Sequence, residues 1–307
     1  MTPRISLLVA IVCACHPAAP DKPHDVDRAT VPLLVEGNRP LIDVTFRKAD
    51  GSTRTGRFLI DSGGGGFLIV EPLAKQLGMT WGPAATEDGE QIAPATSPVT
   101  ALVKDFPLAL DAKRVFVLVG QTNMLPPVAP GHADGLFPGH LLARYHVVFD
   151  YPSATFTIAK PGVLKPEGAP LPMPVAKDSG FPRTELEVDG VTHGFLLDTG
   201  ASFTMVSEAL LKSWGGAHKD WPRHQGAYGE AATLGGQTLE TMFVPKAQWG
   251  TNALAEVGVT SQKEGVFEKW MSSMMTSPIV GSLAGNVLKQ FRVELDYANQ
   301  KLYLSKK

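Results

Sequence analysis

The sequence predicts a mainly β protein made of two repeated lobes with short helices. Three observations predict it. Apolar runs of strand length end twice in an Asp, a small hydroxyl residue and a Gly: Phe58-Leu59-Ile60-Asp61-Ser62-Gly63 and Phe195-Leu196-Leu197-Asp198-Thr199-Gly200. The segments around them match at a constant offset of 137 positions. The 31 Gly and 25 Pro of this 307-residue chain are scattered along it, the punctuation of a turn-rich fold.

Composition sets the outer bounds. A hydrophobic content of 44% with 19% charged residues fits a globular protein, and the length allows one large domain or two medium ones. A formal net charge of -2 offers no basic excess, so nucleic acid is not an expected partner.

In chain order, Met1-Thr2-Pro3-Arg4 followed by the apolar Ile5 to Val12 reads as an export signal, too short to span a bilayer as a helix. Val12-Cys13-Ala14-Cys15 resembles a bacterial lipobox, with Cys15 as the lipidated residue, so residues 1–15 are expected to be a signal peptide. An ordinary secretory signal is the alternative. Both cysteines fall in this leader, which leaves the folded part to be held by packing alone. Residues 16–30, with Pro17, Pro20 and Pro23 among charged residues, read as a tether.

The first lobe, expected over 31–160, opens with the alternating strand Leu41 to Phe46. Asp50-Gly51-Ser52 turns the chain, and Thr53 to Ile60 returns to Asp61. The second lobe, expected over 175–307, repeats this as Thr184 to Val188, the hairpin signal Asp189-Gly190, and Val191 to Leu197 returning to Asp198. After each Asp comes a short strand, Phe67 to Val70 or Phe203 to Val206, then a short helix. Pro72 lies in the opening turn of the first helix, Ser207 is the expected N-cap of the second, and Gly78 and Gly215 are expected to close them.

The lobe ends match at an offset of 146. Gly135-Leu136-Phe137-Pro138-Gly139 and Val147 to Tyr151 correspond to Gly281-Ser282-Leu283-Ala284-Gly285 and Val293 to Tyr297. Between the lobes, the prolines of 161–174 read as a stiff linker.

Two Asp-hydroxyl-Gly motifs in one chain, each fed by a hairpin and followed downstream by apolar-Gly-x-x-x-Gly-x-x-Leu and Asp-Tyr, resemble the retropepsin-like aspartic proteases. The two copies in one chain resemble their single-chain, pepsin-like arrangement. The resemblance implies duplicated β-barrel lobes with an active cleft between them, and a monomer. It also implies that Asp61 and Asp198 meet as a catalytic dyad that activates water to hydrolyse a peptide bond. Two carboxylates that close cannot both ionise easily, so the pair would hold one proton between them. Ser62 and Thr199 would lock the two loops together, and Gly63 and Gly200 would let the backbone pass close to the acids. No metal and no cofactor is implied. The expected partner is a peptide or protein substrate, and a membrane only through the lipid anchor, which places the protein in the bacterial envelope or periplasm.

Several readings stay open at this level. Gly64, Gly65 and Gly66 replace the usual residues after the first motif. That run is either a harmless consequence of close packing or a loosened half-site that binds peptides without cutting them well. The latter would make the chain a non-catalytic peptide-binding envelope protein. A phosphate-cradling loop fits poorly, because Phe67 to Val70 continues as a strand. Tyr228 in Gln225 to Glu230 is a candidate flap residue, with Glu87 to Glu90 a weaker one, and a plain surface hairpin is the alternative for both. Phe267, Trp270, Met271, Met274 and Met275 follow helical spacing, as an apolar face packed on its own lobe or as part of a peptide-binding wall. Asp150 and Asp296 recur as firmly as the motif acids, but their strand-turn context marks them as structural.

Overall fold

In the computed structural model the described residues are 26–87, 89–125, 130–225 and 240–306. Cys15, the export signal and Tyr228 lie outside them. The chain is mainly β, and among the described residues its strands form three sheets.

The first sheet contains the hairpin Arg39–Arg47 and Thr53–Asp61. Phe58 and Ile60 are buried on one face and Leu59 on the other, which is why this strand reads as an unbroken apolar run. Thr53–Asp61 runs parallel to Gly135–Pro138, which is antiparallel to Phe67–Val70. Phe67–Val70 is in turn parallel to Val115–Leu118, and that strand is antiparallel to Glu90–Thr96.

A second sheet repeats the order and the sense of every pairing. Val191–Leu197 runs parallel to Gly281–Leu283, which is antiparallel to Thr204–Ser207. Thr204–Ser207 is parallel to Asn252–Gln262, which is antiparallel to Glu240–Trp249. The repeated glycines have a shared cause. A Cβ at Gly135 would lie 2.4 Å from the Phe58 ring and 2.3 Å from the Leu68 carbonyl oxygen. At Gly281 it would lie 2.7 Å from the Phe195 ring and 2.3 Å from the Met205 carbonyl oxygen. Only glycine lets the strand cross over that ring.

The third sheet, of six strands, joins the halves. His146–Asp150 from the first half pairs with Arg292–Asp296 from the second, flanked by Thr155–Ala159 and Lys301–Ser305. Its edges are Arg28–Pro32 and Pro170–Pro172. Both edges correct the sequence reading. The expected tether 16–30 ends before Arg28, because Ala29 buries its side chain in this sheet. The expected linker 161–174 contains a strand, its prolines tolerated because an edge strand need not donate on its open side.

Local predictions hold with two further corrections. Asp189 and Gly190 both adopt positive φ, as a two-residue hairpin requires. Ser207 accepts from the Leu210 N–H at 3.2 Å as N-cap, and Gly78 closes the first helix at φ +69°. Gly215 does not close the second, which runs over Glu208–Ala217. Arg223 donates to the Gly215 and His218 carbonyl oxygens at 2.7 and 3.0 Å, which satisfies the helix end without a left-handed glycine. Trp270 leaves the expected apolar face and is 57% exposed. The segment Val266–Met271 is a π turn in which the Trp270 N–H reaches the Gly265 carbonyl, and the wider turn shifts its phase so that Phe267 and Met271 face inward without it. Asn252–Gln262 takes the place that Val115–Leu118 holds in the first half. Asp150 and Asp296 close turns, accepting from the Ser153 and Asn299 N–H groups at 3.0 and 3.1 Å.

At the centre of the joining sheet Glu294 is fully buried and accepts from His146 at 2.8 Å and Arg292 at 2.5 Å. Burial alone would raise its pKa, but these two hydrogen bonds outweigh it and hold the carboxyl below the ordinary glutamate value. A lowered pKa means the stabilisation is present at neutral pH and is lost as pH falls through that lowered value. Glu294→Gln is therefore expected to cost about 3 kcal/mol at neutral pH by removing the buried counter-charge of the Arg292 guanidinium. Urea unfolding of parent and variant should converge as the solution is acidified.

Candidate active site

Asp61 ends its strand, and Asp198 follows directly on its own, its N–H bonded to the Leu283 carbonyl at 2.9 Å. The apolar strand sets the position, and the Gly two residues on lets the chain fold back. Asp61 Oδ1 accepts from the Gly63 N–H at 2.8 Å, while Asp198 Oδ1 accepts from the Gly200 and Ala201 N–H groups at 3.1 and 3.0 Å.

The two loops meet. Ser62 N–H donates to Thr199 Oγ1 at 3.0 Å, and Thr199 N–H donates to Ser62 Oγ at 3.0 Å. Each hydroxyl then donates across to the opposite strand, Ser62 to the Leu197 carbonyl at 2.5 Å and Thr199 to the Ile60 carbonyl at 2.8 Å. Both side chains are fully buried. This reciprocal set brings the acids together: a Cβ built at Gly63 would lie 3.3 Å from the Asp198 carboxyl carbon and one at Gly200 would lie 2.3 Å from that of Asp61, so each acid's loop reaches the other acid.

Each residue remains half-buried, so the pair keeps contact with solvent. The carboxyl groups are nonetheless packed among protein atoms. Desolvation raises the pKa of both, and for Asp61 the neighbouring charge of Asp198 raises it further. The dyad therefore retains a proton at a pH where an isolated carboxylic acid would have lost it.

Several neighbours went unread in the sequence. Tyr151 and Tyr297 follow the repeated structural Asp residues and are buried near the dyad. Desolvation and the charge of Asp198 raise the pKa of Tyr151, and desolvation and the charge of Asp61 raise that of Tyr297. Neither hydroxyl finds a hydrogen-bond partner among the described residues. Asn38 donates to the Ser202 carbonyl at 3.1 Å and accepts from Lys289 at 2.9 Å, tying the start of one half to the Asp198 loop of the other. Arg39, buried beside both acids, completes the set. The available signal was position: each of these residues flanks a repeated segment.

The glycine run is explained by close approach. A Cβ at Gly64 would lie 2.7 Å from Leu136 and 2.9 Å from Asp61 Oδ2, and one at Gly66 would lie 2.8 Å from the Phe116 ring. At Gly63 it would meet Leu196 at 3.0 Å, and at Gly200 it would lie 2.3 Å from the Asp61 carboxyl carbon. Gly65 alone faces open space. That space belongs to a cavity of about 620 Å³ lined by the apolar Phe181, Met274 and Met275 and by the polar or charged Arg114, Lys177 and Asp178. Of the two candidate flaps, the strands Ala85–Glu87 and Glu90–Thr96 do form an antiparallel hairpin with an exposed tip strand. Among the described residues, no group of three or more His, Cys, Asp or Glu side chains is placed to hold a metal ion.

No family model matches this chain, and no curated protein matches it either.

Two expectations follow. Thr199→Val and Ser62→Ala should each cost about 1–3 kcal/mol by orphaning a buried N–H of the opposite loop. The double variant should cost less than the sum in urea unfolding, because one network is lost either way. Gly65→Ala should be neutral or stabilise by about 0.4–1 kcal/mol through the unfolded chain. Gly64→Ala should instead destabilise by about 1–3 kcal/mol, because the new methyl group presses on Asp61 and Leu136.

Proposed function

We propose that this chain is an aspartic endopeptidase of two retropepsin-like lobes, exported and held in the bacterial envelope by a lipid on Cys15. The single observation that carries the reading is the pair Asp61 and Asp198, brought side by side by the reciprocal hydrogen bonds of Ser62 and Thr199. The matching strand order of the two halves supports the duplicated fold. Both acids come from one chain, so a monomer suffices.

The chemistry follows from one shared proton. A water held between the carboxyl groups loses a proton to the ionised member as its oxygen bonds to the peptide carbonyl carbon. The protonated member gives its proton to the carbonyl oxygen, so the tetrahedral diol forms without a free oxyanion. Collapse re-forms the carbonyl and breaks the C–N bond: one diol hydroxyl gives its proton to the ionised member of the dyad while the protonated member gives its proton to the departing amine nitrogen. The charge count of the dyad is the same before and after, and no covalent intermediate is needed. The cavity beside Gly65 offers room for a substrate side chain, its lining mixing Phe181, Met274 and Met275 with Arg114, Lys177 and Asp178. The packing demanded at Gly64 and Gly66 weighs against a loosened, binding-only half-site.

The test uses the full-length protein with an unfolded protein substrate and a mixed peptide library, from acid to weakly alkaline pH, with cleavage read by mass. Asp61→Asn and Asp198→Asn should each abolish cleavage while leaving the fold intact. The parent's activity should persist above the ordinary carboxylate range and fade as the retained proton is lost. Equal cleavage by parent and variants, or none by a folded parent, would end the peptidase reading.

A further inference from the structure

The two halves present their acids alike, but the ground beside each acid differs. At the offset of 137 that relates the two motifs, Gly65 corresponds to Ser202. Leu41 pairs with Leu59 and Arg183 with Leu196, which makes Gly180 the counterpart of Asn38, both at positive φ. Beside Asp198 these two positions fill the space. Asn38 donates to the Ser202 carbonyl at 3.1 Å and accepts from Lys289 at 2.9 Å, and Ser202 is buried. Beside Asp61 both positions lack a side chain. A Cβ at Gly65 would meet nothing within 4 Å, and the Gly180 backbone lies so close to His140 that a Cβ there would be 2.6 Å from its Cα. One flank is plugged, and the other is the cavity of about 620 Å³.

This cavity has a fixed wall and lies close to the acids. Ser179 Oγ donates to the Met274 carbonyl at 2.9 Å and accepts from the Phe181 N–H at 3.2 Å, which pins the turn 176–181 to the segment carrying Met274 and Met275. The Gly180 N–H closes that turn on the Ala176 carbonyl at 2.8 Å. A Cβ at Gly64 would lie 2.9 Å from Asp61 Oδ2, and the Cα of Gly65 is about 3.8 Å further along the chain. An extended peptide advances about 3.3 Å per residue, so a side chain in the cavity comes from within about two positions of the bond held at the acids.

The charges of the lining are not matched within the protein. Among the described residues Arg114 makes no hydrogen bond. Its Nε stands 4.0 Å from Asp111 Oδ2, while Asp111 Oδ1 accepts from the Lys113 N–H at 3.0 Å. Lys177 and Asp178 are exposed and form no ion pair among those residues. His140, behind Gly180, adds no charge near neutrality, because burial and then the charges of Arg114 and Arg144 lower its pKa to about 4. Two cations thus face the space against the single acid Asp178.

We infer that the cavity is a subsite for an acidic substrate residue, glutamate above all, with Arg114 and Lys177 holding its carboxylate. Phe181, Met274 and Met275 then cover its methylene groups. A guanidinium offers a carboxylate two parallel N–H bonds, and the ammonium adds a point charge. A leucine would strip water from both cations and return no hydrogen bond. A lysine would meet two like charges and one opposite. Under the peptidase reading, on which this role rests, the open flank beside Asp61 selects the substrate and the plugged flank beside Asp198 does not.

The experiment gives the full-length protein one host peptide in which each of the two positions on either side of the cleaved bond is varied among Glu, Gln, Leu and Lys. At one of these positions the parent should favour Glu over Gln by about tenfold or more in kcat/KM near neutral pH. The preference should weaken with added salt and vanish below about pH 4, where the substrate glutamate takes up its proton. Arg114 is 38% exposed and Lys177 is exposed, so substituting them leaves the core intact. Arg114→Met with Lys177→Met should cut the Glu and Gln peptides equally, and Arg114→Glu with Lys177→Glu should turn the preference to Lys. A parent without the Glu preference at any of these positions overturns the inference, as does a preference that the double methionine variant keeps. Failure of the peptidase reading is read separately. If a folded parent cuts none of the peptides, its binding of fluorescent Glu and Gln peptides decides the subsite. Tighter Glu binding that is lost in the double methionine variant keeps an acid-selecting cleft without catalysis, and equal or absent binding overturns it.

Discussion

Everything at the centre of this molecule depends on the reciprocal hydrogen bonding of Ser62 and Thr199. Each hydroxyl accepts from the backbone of the other loop and donates to the strand behind it, so neither loop can shift without leaving buried polar groups unpaired. The penalty for each orphaned group is about 1–3 kcal/mol, a sizeable part of the net stability of a domain. Two loops separated by 137 positions are thereby made one rigid unit, and the acids they carry are forced together against their own repulsion.

A second tie lies in the six-stranded sheet, where strands from both halves pair directly and bury the Glu294, His146 and Arg292 cluster. The two ties differ in kind. The sheet adds buried area and backbone pairing between the halves, which fixes their relation coarsely. The hydroxyl network is small and directional, and it sets the separation of the carboxyl groups. A site that must share one proton needs the second kind of precision, since proton transfer is sensitive to fractions of an ångström.

Glycine supplies the room for this arrangement. The closest approaches of a built side chain to either carboxyl group come at Gly63, Gly64 and Gly200, from both loops at once. The glycine run after Asp61 is thus mainly a packing requirement, with Gly65 the single position where a side chain would meet nothing.

Much of this was legible in the sequence because it repeats. An apolar run ending in Asp and Gly implies a strand end and a turn, and finding it twice implies a pair. The hairpins, the Ser207 cap and the glycines that cross Phe58 and Phe195 all follow from local chemistry or from the repeat. Failures came where partners are distant. Ala29 and Pro170–Pro172 look like tether and linker until the edge strands beside them are known, and Gly215 looks like a helix stop until Arg223 supplies the hydrogen bonds. Arg39 looks like an ordinary charged residue at a strand start. By itself the sequence determined which residues recur, and hence that two carboxylates are presented alike. Only the tertiary structure decided that they meet, and which unlike neighbours stand beside them, because burial and electrostatic coupling depend on distances between segments that the order of residues does not contain.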